Sequence, residues 1–83
     1  MRVALRRSDM HYSINDMTIS YTAAEEIQNE KKLDSPDDFY IIAESICCIR
    51  KPKFQKKFVD ALKSLDRARI IKRCEKIIRL HTE

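Results

Sequence analysis

Ser35-Pro36-Asp37-Asp38 stands directly before eleven residues, Phe39 to Ile49, of which only Glu44 and Ser45 are polar. A serine oxygen can accept a hydrogen bond from the first free amides of a helix. A proline suits the first helical position, and acids suit the first turn, where the helix dipole is positive. This grouping predicts a helix over 36–50. The β-prone stretch Phe39-Tyr40-Ile41-Ile42 would also fit a strand, but the cap chemistry and the length of the run favour helix. A helix that is apolar nearly all round has to be buried. In an 83-residue chain there is room for one core only, and a chain of that size buries roughly 60–65% of the surface its unfolded form exposes. The 36–50 helix is therefore expected to be the buried centre of a single domain, 1–83. Should one chain fail to cover both sides of it, a second copy must, and a homodimer is expected.

The flanking segments are read around that helix. Pro52 ends it, holds Lys51 extended and opens the next helix. Phe54, Phe58, Ala61, Leu62 and Leu65 then recur at helical spacing, but the next apolar set, Ile70, Ile71, Cys74, Ile77 and Ile78, is out of phase with them. Either a break at Ser64–Asp66, with Asp66 capping a new helix, accounts for the slip, or one long helix over 53–80 presents two faces; the break is favoured. Upstream, Thr22-Ala23-Ala24-Glu25 has the form of a capping box and predicts a polar helix over 23–32. Met17, Ile19 and Tyr21 alternate with Asp16, Thr18 and Ser20, the period-2 pattern of a half-buried strand. A short strand is accordingly expected over 17–21. Val3 and Leu5 alternate less clearly, and residues 1–16 are expected to be a poorly ordered leader. The expected fold class is thus mainly α: three to four helices around a buried 36–50 helix, with a short N-terminal strand.

Several chemistries find little support. The chain contains no glycine, which counts against a glycine-rich phosphate loop and against a type I′ hairpin. Cys47 and Cys48 are adjacent and Cys74 makes the count odd, so disulfides are not expected and a reduced, cytoplasmic setting fits best. The cysteines lack C-x-x-C spacing, and His11 and His81 lie far from them in sequence, so no metal site is expected. They read as small core residues. Neither histidine has a recognisable nucleophile partner, and the Asp37-Asp38 side chains diverge on a helix. No catalytic residue and no cofactor are expected. No apolar run approaches the 18 or so residues of a membrane span, nor the central segment of a signal peptide.

Charge is the feature that speaks of partners. Residues 1–49 hold five bases against nine acids, whereas residues 50–83 hold twelve bases against four acids. A basic block of this kind attracts anionic surfaces. Two groups stand out. Lys51, Lys53, Lys56 and Lys57 crowd a helix start, where cations are electrostatically unfavourable and no Ser, Thr, Asp or Asn caps the chain. The group could hold an anion, or it could be a solvated turn neutralised by acids of the preceding helix such as Glu44. Arg69, Lys72, Arg73, Lys76 and Arg79 recur at spacings of three and four, opposite the isoleucine stripe. Such a row can track a phosphate backbone, although a solvated helix face has the same pattern. A helix-turn-helix over 58–78 matches weakly, because Asp60 and Asp66 intrude where apolar packing is needed. A ribbon-helix-helix fits the order of elements, but Thr18 and Ser20 are short side chains for reading bases. The expectation is a small non-enzymatic regulatory protein that binds nucleic acid through these nine cations. The alternative is an inhibitor or adaptor whose basic face docks an acidic partner protein.

Overall fold

A computed structural model describes residues 14–82. Four helices follow one another: α1 (Ile14–Lys31), α2 (Pro36–Cys48), α3 (Pro52–Lys63) and α4 (Arg67–Thr82). All regular structure among the described residues is helical. The alternating pattern of residues 1–6 and most of the expected leader lie outside them.

Helix α2 begins as its sequence predicts. The Ser35 backbone is extended and its Oγ accepts a hydrogen bond from the Asp37 amide at 3.2 Å, with Pro36 at the first helical position. The helix ends at Cys48, two residues short of the expected Arg50, and the Ile49 amide closes it by donating to the Ile46 carbonyl at 3.1 Å. Ile41 to Cys47 are all buried. Helix α1 packs against α2 and so does α4, while α3 packs chiefly on α1. Ile27, Ile42, Ile46, Leu62 and Ile70 are fully enclosed where these helices meet.

The first helix corrects two expectations. Residues 17–21 are helical and not a strand. Their alternation would place Ile19 and Tyr21 on one buried face, but Ile19 is exposed, while Ser20, Ala23, Ala24 and Ile27 form the inner face of α1. Small side chains rather than large ones carry the packing, so the helical period escapes a count of bulky apolar residues. Thr22 does not cap a helix. It lies inside one, and its Oγ1 donates to the Thr18 carbonyl one turn back at 2.9 Å, as threonine does within helices.

Helix α3 is rotated relative to its expected stripe. Gln55, Phe58 and Leu62 are buried, whereas Phe54 and Ala61 face outward. Gln55, 3% exposed, is held inside by donating from Nε2 at 3.2 Å to the Ile46 carbonyl, which also accepts from the Ile49 amide at the end of α2. The expected break is present. Ser64 closes α3 by bonding back to Ala61, and Asp66 Oδ1 accepts from the Arg69 amide at 2.9 Å to start α4.

Without glycine, the turn after α1 places Lys32 in the left-handed region at φ 57°. The Leu33 amide then donates to the Gln28 carbonyl at 2.9 Å, the longer of the two bonds of a Schellman closure. A side chain in that region costs roughly 1 kcal/mol. Lys32→Gly should therefore stabilise the protein by about 1 kcal/mol, raising the thermal midpoint by about 4–8 °C. An unchanged or lowered midpoint in a melt followed by circular dichroism would refute this account of the turn.

Candidate functional site

The cations of the basic half divide into those the fold uses and those it leaves outward. Lys63 donates from Nζ to Glu26 Oε1 at 2.6 Å, tying α3 to α1. That hydrogen bond, reinforced by the negative charge of Glu26 and opposed by slight desolvation, raises the Lys63 pKa above its ordinary value. Arg67 donates to Asp38 Oδ2 at 2.9 Å, tying the start of α4 to the start of α2. The two pairs stand on either side of the α3–α4 turn. Neither cation belongs to the nine singled out by sequence.

All nine of those cations are exposed. Arg69 lies 3.7 Å from the Asp66 carboxylate. Lys53, Lys56, Lys72, Arg73, Lys76 and Arg79 make no ion pair with an acid among the described residues. On α4 the row Arg69, Lys72, Arg73, Lys76 and Arg79 occupies the face opposite the buried Ile70, Cys74 and Ile78. At about 1.5 Å of rise per residue, the row extends for roughly 15 Å. Within Arg67–Thr82 there are six Arg and Lys residues against the single acid Glu75, a formal charge of 6 − 1 = +5.

The start of α3 differs in kind. Lys51 occupies the cap position and makes no side-chain cap bond. Few amides remain free there. Pro52 has none, and those of Phe54 and Gln55 both donate to the Lys51 carbonyl at 3.0 Å. Any grip on an anion at this end must come from the ammonium groups, not from a cradle of N–H groups. Asp60, one turn beyond Lys56 and Lys57 on the same face, tempers their charge. Glu44, the acid expected to neutralise this turn, is buried with the inner face of α2. The fold gathers Lys51 and Lys57 around one ring: their Nζ atoms lie 5.9 and 5.8 Å from the centroid of Phe54. The two cationic groups stay on separate helices that pack on different neighbours, α3 on α1 and α4 on α2. Phe54 was expected in the core. Its place among Lys51, Lys53, Lys56 and Lys57 was the sequence signal pointing the other way.

No protein-family model matches the chain, and the searches of curated proteins and of solved structures found no match either. Among the described residues there is no group of three or more His, Cys, Asp or Glu suited to hold a metal ion. No helix among them is long and apolar enough to cross a membrane.

None of the three cysteines is in a disulfide; Cys47 and Cys74 are buried and Cys48 is half-buried. Burial pushes the Cys74 thiol up from 9.0 to about 11, with the adjacent Ser45 hydroxyl and the nearby Arg73 pulling the other way. A thiol with that pKa is a poor nucleophile at neutral pH. Because the folded pKa is raised, the stability linked to it is fully present below pH 9.0 and is lost as pH climbs through about 11. Denaturant titrations from pH 8 to 11 should show a loss of stability that is smaller in Cys74→Ala. The same slope in both proteins would rule out Cys74 as its source.

Proposed function

We propose that this protein is a small non-enzymatic regulatory protein that holds nucleic acid through phosphate contacts of its basic C-terminal half. The observation that carries the reading is the α4 face, where Lys72, Arg73, Lys76 and Arg79 point outward without an acidic partner among the described residues. Cations left unpaired on a rigid rod gain from neutralising phosphates, because each contact releases a condensed counterion. Lysine and arginine contacts of this type fix position and carry little sequence information. Lys51, Lys53, Lys56 and Lys57 add a second group of outward cations on α3. A cytoplasmic setting, in which Cys47, Cys48 and Cys74 stay reduced, belongs to this reading, as does a homodimer that would present the basic face twice.

A second reading, an adaptor that docks an acidic partner protein, is favoured by one observation. Lys63 and Arg67 already meet carboxylates of this chain at 2.6 and 2.9 Å, so side chains of the basic half pair readily with acids.

A salt titration tests the first reading. Nucleic-acid binding should weaken with a log–log salt slope of about −4, as expected when four to five phosphates are neutralised. Lys72→Glu combined with Lys76→Glu should make the slope shallower by about 2 and weaken binding at least tenfold. Both positions are exposed, so the circular dichroism spectrum should stay unchanged. The absence of a mobility shift at low salt would remove the nucleic-acid reading.

A further inference from the structure

We infer that Phe54 is a stacking platform for an unpaired base, so that the α3 end of the basic half takes single-stranded nucleic acid in preference to duplex. The inference rests on the nucleic-acid reading above and adds to it the form of nucleic acid that is held. Its starting point is a large ring left out of the core. Phe54 is 49% exposed, while its neighbour Gln55 is 3% exposed. The helix turns an amide inward and a phenyl ring outward, the reverse of what transfer from water favours.

The surroundings of that ring set it apart. Ile19, Tyr40 and Leu80 are the other large exposed apolar residues described. Ile19 and Leu80 have no π face. Tyr40 packs edge-on against Phe39, which stacks on Tyr21, and it follows Asp37 and Asp38 at an acidic helix start. Phe54 instead has Lys51 and Lys57 over its ring, at 5.9 and 5.8 Å. An aromatic surface set among ammonium groups meets both needs of a single strand, a partner for a base face and charge for the flanking phosphates.

The lysines over the ring do not block it. At an exposed site a cation–π contact is worth about two- to fivefold in an equilibrium constant, whereas stacking of a base on an aromatic ring is worth at least about fivefold. A base therefore displaces an ammonium group, and the released Lys51 or Lys57 is then close to the phosphate on either side. In a duplex the base faces are already stacked on one another, so the same ring contributes nothing.

The test compares a labelled oligothymidylate with a duplex of equal length, at one salt concentration, by fluorescence anisotropy. Wild type should prefer the single strand by at least about fivefold, and Phe54→Ala should lose that preference while holding the duplex within about twofold. Phe54→Trp should keep single-strand affinity and show indole quenching on binding. Equal affinity for both forms, with Phe54→Ala altering neither and the Lys72→Glu, Lys76→Glu pair weakening both, would overturn the stacking inference and leave the phosphate reading standing. No binding to either form at low salt would overturn both. Tighter binding to polyglutamate than to either oligonucleotide would also overturn both, in favour of an acidic protein partner.

Discussion

Ser45 Oγ lies 2.8 Å from the Ile41 carbonyl of its own helix and 2.9 Å from the Cys74 carbonyl of α4. A hydroxyl has one proton to donate, so the two carbonyls share it. A serine side chain reaches the main chain of a neighbouring helix only where both contact residues are small, and here they are Ser45 and Cys74, both fully buried. That close approach seals one side of α2. On the other side Ser20, Ala23 and Ala24 give α1 a similarly shallow inner face. Ile42 and Ile46 then fill the space between, and a helix with almost no polar side becomes tolerable in a short chain. Nearly every charge is left on an outer face as a result.

How much of this was legible in the sequence depended on which chemistry marked each element. Ser35, Pro36, Asp37 and Asp38 announce the start of α2 because a cap is a local bond, made by residues adjacent in sequence. Asp66 and the phase slip of the apolar residues mark the α3–α4 break for the same reason. The start of α1 was masked by the alternation over 17–21, although Ser13 and Asp16 carry the same cap chemistry. Its inner face is built from serine and alanine, whose value lies in letting α2 come close, and that is a property of the partner helix. Thr22 shows the converse failure, since the residues of a capping box can sit in mid-helix when the chain upstream is helical too. Gln55 was illegible because the carbonyl that holds it, at Ile46, belongs to another helix and is exposed to bonding only by where α2 ends. The cations of the candidate site were legible as a list. Their separation into paired and outward groups was not, because Glu26 and Asp38 reach Lys63 and Arg67 across the fold.

The opposition between an acidic first half and a basic second half resolves into two parts. One part is internal. Asp37 and Asp38 stabilise the positive end of α2, and Glu26 and Asp38 anchor the chain beside the α3–α4 turn. Water screens exposed pairs of this kind, so they orient helices more than they stabilise them. The other part faces solvent, as a long row on α4 and a ring-centred cluster at the start of α3. The row needs only charge. The cluster adds a hydrophobic surface that a purely electrostatic partner would not require.

The contact at Ser45 also sets how such a protein could diverge. A basic face tolerates exchange of arginine for lysine and the drift of a charge by one helical turn, since its field changes little. Positions 45 and 74 have no such latitude. Enlarging either side chain pushes α4 off α2 unless the other shrinks with it. In a lineage descended from this chain, the basic face would drift while these two buried positions changed in step. The trace of common ancestry would then lie in the size of two hidden side chains and not in the outward charges.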